Sequence, residues 1–188
     1  MSDYRQPEFY RFNEDSIKLV NYVEEKEARI DGKVLDACCG CGVLGVELST
    51  RINIHSVDFV DVQKEYEEFI NWNIDNIYQG TLSRVIIDDI RTLSSEYDLI
   101  LLNPPYYCES SHRPSPNKNR NIARLYKASE LEEIYTHCIS LLSNKGKLYS
   151  VMKESEVSKL NDLIKKFQGE VERFGKICFI TFSSVEDK

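Results

Sequence analysis

The strongest constraint in this chain is a run of six residues and the way it stops. Residues 97–102, Tyr-Asp-Leu-Ile-Leu-Leu, are apolar at all but one position, and Asn103-Pro104-Pro105 follows at once. A short, nearly continuous apolar run reads as a strand buried on both faces, as central strands of parallel sheets are. Prolines cannot donate to a central ladder, so the strand must end there. Parallel neighbours need crossover connections of a dozen or more residues, usually helical.

The flanking sequence supplies them. Asn13 can cap a helix carrying Ile17, Val20 and Val23. Gly32 closes that unit, and residues 33–37 are a short strand. A glycine-containing loop, Cys38-Cys39-Gly40-Cys41-Gly42, leads into a helix near Val43. Residues 52–58 read as a second strand ending in a carboxylate. The apolar positions Tyr66, Phe69, Ile70, Ile74 and Ile77 predict a helix over residues 61–78. Residues 83–87 are a third strand, running into Asp88-Asp89. After the central strand, residues 108–121 have no apolar period and read as a long surface loop. Ser129 and Glu132 make a capping-box pattern before the next helix. Gly146 turns the chain into a strand at 147–152, and a helix follows over 155–167. Residues 170–182 read as one long strand, or two short ones turning at Gly175-Lys176.

Strands alternating with helices predict an α/β fold, doubly wound, with a mostly parallel sheet and helices on both faces. The C-terminal strand region looks shortened. The chain of 188 residues suits one domain, a helical lead-in at 1–32 and a core at 33–188. No apolar stretch approaches the ~20 residues of a membrane span. The first residues lack an apolar signal core, which predicts a cytoplasmic protein with its six cysteines reduced. The net charge of −7 excludes a generally basic nucleic-acid coat but not a local basic patch.

In such sheets ligands sit at the carboxyl ends of the strands. Asp36 with the glycine loop, Asp58 with Phe59, Asp88-Asp89, and Asn103-Pro104-Pro105-Tyr106 all fall at that edge. Gly40 and Gly42 permit close approach to the backbone. Asp58 can accept hydrogen bonds from both hydroxyls of a ribose, and Phe59 can pack on an adenine face. The loop alone is weak evidence, because an ordinary tight turn looks the same. Cys38, Cys39 and Cys41 lack the paired spacing of a structural zinc site, so no metal is expected. In Asn103-Pro104-Pro105-Tyr106, the Asn103 side-chain carbonyl and the Pro104 backbone carbonyl can accept both protons of an exocyclic amine. That arrangement favours a pyramidal, nucleophilic nitrogen. The prolines stiffen the turn, and Tyr106 offers a flat face for an extruded base.

On these motifs the chain resembles the class I S-adenosylmethionine-dependent methyltransferases that act on amino groups, marked by (Asn/Asp)-Pro-Pro-(Tyr/Phe), with a Rossmann-like sheet. Gln6-Pro7, Tyr10-Arg11-Phe12, Asp15-Ser16 and Asn121-Ile122-Ala123-Arg124 resemble the valine tRNA adenine-N6 methyltransferases more narrowly. The resemblance implies S-adenosylmethionine as cofactor, with Asp36, Gly40 and Gly42 around its methionine part. It implies Asp58 at the ribose, Asp89 at the adenine amine, Asn103 and Pro104 at the target amine, and Tyr106 on the base. Two departures stand out. Cys38 replaces the first glycine of the family loop, and the spacing after Asp58 is one residue long, making Asp61 a rival for the ribose.

An RNA partner, tRNA above all, is expected on further grounds. Arg113, Lys118, Arg120, Arg124 and Lys127 lie between Ser110 and Ser129 with no acidic residue among them. Competing readings are a glutamine-N5 methyltransferase of release factors, a guanine-N2 methyltransferase of ribosomal RNA, and a non-catalytic cofactor-binding scaffold. The first usually carries a sizeable helical domain before strand one, where this chain has about 32 residues. The scaffold would have no use for an intact Asn-Pro-Pro-Tyr.

Overall fold

A computed structural model describes residues 3–127 and 129–184. Residues 3–13 run without regular structure to Asn13, whose side chain accepts the Asp15 N–H and starts α1 (Glu14–Lys26). There follow β1 (Ile30–Ala37), α2 (Val43–Ser49), β2 (Ile54–Asp61), α3 (Glu67–Ile77), β3 (Leu82–Ile87) and β4 (Tyr97–Leu102). Next come β5 (Tyr107–Cys108), α4 (Lys118–Ile122) and β6 (Leu125–Tyr126). The described chain closes with α5 (Glu130–Ser140), β7 (Leu142–Lys153), α6 (Asn161–Lys166), β8 (Glu170–Phe174) and β9 (Ile177–Ser183).

Seven strands form one sheet in the order β3-β2-β1-β4-β7-β9-β8. The first five are mutually parallel, while β9 runs antiparallel to both β7 and β8. The winding reverses between β1 and β4, so the switch point lies at their carboxyl ends. Leu19, Val20 and Val23 of α1 pack on one face with Leu44, Val46 and Ile70. Leu131, Ile134, Tyr135 and Cys138 of α5 pack on the other with Leu163 of α6. This is the doubly wound, Rossmann-like sheet expected, and β4 has the expected bounds.

Several boundaries differ, each for a physical reason. Gly32 lies inside β1, where the pairing with β2 slips between Ile30 and Lys33. A Cβ there would stand 1.8 Å from the Asp98 carboxylate, which accepts the Lys33 N–H. β2 continues past Asp58 to Asp61, and a single tight turn at Lys64–Tyr66 separates it from α3. The loop after β4 is partly ordered. β5 and β6 pair in parallel, and Asn117 caps α4 by accepting the Arg120 N–H. Ser129 makes no capping hydrogen bond; the Glu130 side chain accepts the Lys127 N–H instead. β7 begins five residues before the expected Lys147, and a 3₁₀ stretch, Glu154–Leu160, precedes the short α6. The tail is long enough for a full hairpin, turning at Gly175 with φ +66°. Among the described residues no helix is long and apolar enough to cross a membrane.

Candidate active site

The carboxyl ends of β1, β2, β3 and β4 open into a cavity of about 380 Å³. Its far wall comes from residues 10–16 and from α4 with its flanks. A concave, partly apolar space of this size suits a small-molecule ligand.

Asp61 is the carboxylate β2 presents to this space. It ends the strand, is buried, and accepts the Gly40 N–H and the Gln63 N–H, each at 2.9 Å. Burial raises its pKa to about 6, against the pull of those backbone bonds. Gln63 also lines the cavity, and its side-chain carbonyl oxygen is buried with no partner among the described residues. Between them Val62 is 55% exposed on the cavity wall, an apolar plate facing the ligand space.

Asp58 does not reach the cavity. Its side chain is shared by Arg84 at 2.6 Å, Lys33 at 2.9 Å and the Tyr97 hydroxyl at 2.8 Å. Burial works to raise its pKa, but the hydrogen bonds from Arg84, Lys33 and Tyr97 outweigh that and lower it. It is a structural tie among four strands; its position does not fit the expectation that it meets a ribose, and Asp61 is the β2 carboxylate that lines the cavity. The expectation for Phe59 fits no better. The ring is fully buried beneath the loop, where a Cβ on Gly42 would approach it to 3.2 Å and one on Gly45 to 2.7 Å. Phe59 therefore supports the loop and touches no ligand space.

The loop itself divides. Gly40 lines the cavity with φ +53°, a conformation that favours glycine. Gly42, with φ +78°, sits away from the cavity against Phe59 and Ile70. Cys38 takes φ +55° on the cavity wall where the family pattern has glycine. Asp36 is buried below the loop. One of its carboxylate oxygens accepts the Gly45 N–H at 2.8 Å; the other has no partner among the described residues. Burial raises its pKa well above the carboxylate range. Asp36 thus braces the turn rather than lining the cavity.

Asp88 and Asp89 both line it. Asp89 caps the turn after β3 and holds the Arg91 guanidinium at 2.5 Å, which keeps its pKa low.

Asn103, Pro104 and Pro105 form the wall opposite Asp61's loop. The Asn103 amide nitrogen donates to the Ser16 hydroxyl at 2.9 Å, across 87 residues of sequence. Ser16 is buried in the first turns of α1. With its nitrogen so engaged, Asn103 keeps its carbonyl oxygen free of partners among the described residues. Sequence reading missed Ser16 as a site residue, although Asp15-Ser16 had drawn notice as a family match.

Tyr106 turns inward. It is buried, lies off the cavity wall, and its hydroxyl reaches Asp15 at 3.4 Å. The expected base platform is corrected: the Pro104-Pro105 turn carries the ring into the core on the α5 side. The aromatic residues that do line the cavity are Tyr10, Phe12, Tyr66 and Tyr126. Arg113, Lys118 and Arg120 are exposed beyond the wall, and Arg124 is half-buried. Asn121 and Ile122 of α4 face the cavity, so the basic segment borders it directly.

A family model, methyltransferase small domain, matches residues 12–176. The chain belongs to the methyltransferase small domain family. Membership places it among the S-adenosylmethionine-dependent methyltransferases. A tRNA1(Val) (adenine(37)-N6)-methyltransferase of Flavobacterium psychrophilum is 27% identical over 143 residues, covering 72% of this chain and 58% of that protein. A release factor glutamine methyltransferase of Vibrio cholerae is 25% identical over 145 residues, covering 70% and 49%. The chain thus spans about half of the curated relatives' length. Among solved structures, magnesium protoporphyrin IX methyltransferase of Synechocystis, crystallised with S-adenosylmethionine, overlays with a TM-score of 0.64 at 14% identity, covering 90% of this chain and 78% of that one.

The residues present fit the family's cofactor. The Asp61 carboxylate, the exposed Val62, the unpartnered amide oxygen of Gln63 and the left-handed Gly40 all line the cavity.

Proposed function

We propose that this chain methylates an exocyclic amine, N6 of an adenine in tRNA, at the cavity between Asp61 and Asn103. The observation that carries the reading is Asn103, held by Ser16 with its carbonyl oxygen left free at the cavity wall. S-adenosylmethionine supplies an electrophilic methyl group on a sulfonium. Asp61 accepts hydrogen bonds from the ribose hydroxyls, Val62 and Ile90 pack on the adenine, and Asp89 meets its amine. Gly40 and Cys38 border the methionine part.

The target nitrogen is a poor nucleophile because its lone pair is delocalised into the ring. Asn103 Oδ1 and the Pro104 carbonyl accept its two protons and localise the lone pair on nitrogen as it attacks. The groups are fixed before reaction, by Ser16 and by two prolines, so little reorganisation opposes them. A proton leaves after transfer, when the nitrogen is cationic and acidic, so no general base is required beforehand.

RNA is favoured by the segment that borders the cavity. Arg113, Lys118, Arg120 and Lys127 are exposed and have no carboxylate partner among the described residues. Phosphate contacts of this kind hold a strand while one base is turned out. The relative acting on adenine of tRNA points the same way.

Incubation with methyl-labelled S-adenosylmethionine and total tRNA lacking modification, followed by nucleoside analysis, tests the proposal. N6-methyladenosine carrying the label is expected. Label in N5-methylglutamine of an added release factor, or in N2-methylguanosine of ribosomal RNA, with none in tRNA, would overturn it.

A further inference from the structure

Five lysine and arginine side chains are half-buried among the described residues: Lys33, Arg51, Arg124, Lys147 and Lys153. Three of them have a carboxylate within ion-pair distance: Asp58 for Lys33, Glu47 for Arg51, Glu27 for Lys147. Arg124 and Lys153 have none among the described residues. A partly desolvated cation without a counter-charge is unfavourable, and in a chain of net charge −7 carboxylates are not scarce.

These two cations share one aromatic ring. Both stand over the ring of Tyr107, Lys153 at 4.4 Å from its centroid and Arg124 at 5.2 Å. The Lys153 ammonium also donates to the Tyr107 hydroxyl. The His112 ring packs on the same aromatic at 4.1 Å. The cluster is fixed from three places in the fold: β5, the turn into β6, and the carboxyl end of β7. The Tyr107 N–H donates to the Arg124 carbonyl at 3.0 Å, which locks the first two together. The aromatic face offsets part of the charge, as cation–π contacts do. Lys33 has a similar contact, with Tyr97 at 4.7 Å, and still keeps its carboxylate. Asp15, on the neighbouring α1, accepts the Tyr106 hydroxyl at 3.4 Å and makes no ion pair with either cation.

Position gives the pair its meaning. Tyr107 follows cavity-lining Pro105 by two residues, and Arg124 lies between Ala123 and Leu125, which both line the cavity. An anion held there would lie beside whatever enters next to Asn103.

We infer that Arg124 and Lys153, gathered on Tyr107, seat one phosphodiester of the RNA backbone next to the turned-out nucleotide. This rests on the RNA reading above, and it adds to Arg124 of the basic segment a second cation from outside it, Lys153 at the end of β7. Arginine offers a planar fork to the two free oxygens of the phosphate, and lysine a point charge.

The test compares three proteins on an unmodified tRNA transcript across salt concentrations: wild type, Arg124→Gln with Lys153→Gln, and the loop variant Arg113→Ala with Lys118→Ala and Arg120→Ala. Calorimetry with S-adenosylhomocysteine and thermal melting of the free protein accompany it. The double variant should weaken RNA binding and reduce the slope of log affinity against log salt by roughly 0.7–0.9, one phosphate's worth. Its cofactor affinity should be unchanged, and it should melt no lower than wild type, because neither charge has a carboxylate partner among the described residues. Lys153→Arg should retain binding. Unchanged affinity and slope in the double variant, with the loop variant weakened, would overturn the phosphate seat and leave the RNA reading standing. Unchanged RNA binding in both would overturn the RNA reading, and the seat with it. A lowered melting point with unaltered salt slope would make the cluster a packing feature, also against the inference.

Discussion

Of two carboxylates three residues apart on β2, Asp61 lines the cavity and Asp58 does not, and replacing each in turn tests which one meets the ribose. Asp58→Ala removes the shared partner of Arg84, Lys33 and Tyr97. Breaking a buried pair by deleting one member costs about 3–5 kcal/mol. Arg84 is 54% exposed and Lys33 32%, so water recovers part of that, and about 1–3 kcal/mol remains. At about 2–4 °C per kcal/mol for a chain of this size, melting should fall by several degrees. Cofactor affinity should not change, because Asp58 does not line the cavity. Asp61→Asn acts the other way. It removes a charged acceptor for the ribose hydroxyls, and a hydrogen bond to a charged group is worth about 1.5–3 kcal/mol. The dissociation constant for S-adenosylhomocysteine should rise roughly 10- to 150-fold. Some stability also goes, since an amide can serve only one of the Gly40 and Gln63 N–H groups as acceptor. Calorimetry and thermal melting on the two variants give the comparison. A weakening of cofactor binding by Asp58→Ala as large as that by Asp61→Asn would refute the assignment.

Three further outcomes follow from the same geometry. Asn103→Ala should lower turnover by about 10²–10³ while cofactor affinity stays within error, since its free carbonyl serves the reacting amine; near-normal turnover in rapid-quench assays would remove Asn103 from the chemistry. Ser16→Ala should slow transfer about fivefold, one ordinary hydrogen bond, without changing cofactor affinity, and should add nothing in an Asn103→Ala background; an effect that persists there means Ser16 acts elsewhere. Cofactor affinity should be flat above about pH 7 and fall as pH drops through 6, approaching tenfold per unit, because hydroxyl donors need Asp61 ionised and burial has pushed its pKa up to about 6. The same raised pKa means that Asp61 favours folding below about pH 4 and loses that contribution as pH rises through 6; Asp61→Asn should abolish both dependences.

The sheet was legible because its signals are local. The apolar run 97–102 stopped by two prolines has one sensible reading, and the helices around it show their periods. Asn103 was legible for the same reason. What the sequence concealed depends on partners far along the chain. Asp58 looks like a strand end until Lys33, Arg84 and Tyr97 arrive from three other strands to neutralise and bury it. β2 then runs three residues further, and the site acid shifts with it. Tyr106 follows a stiff Pro-Pro turn, and no local pattern tells whether the ring swings toward ligand or core. Ser16 meets Asn103 only when residues 3–16 fold across the cavity. Ser129 fits a capping pattern on paper, but its own backbone is helical (φ −90°, ψ −19°) instead of extended, and its side chain makes no capping hydrogen bond.

A crystal structure with S-adenosylhomocysteine bound decides where the ribose sits. The ribose hydroxyls should lie within hydrogen-bond distance of the Asp61 carboxylate, with the adenine against Val62 and Ile90 and the sulfur directed toward Asn103 and Pro104. The product bound with its ribose on Asp58, or away from the Asn103 wall altogether, would contradict this placement.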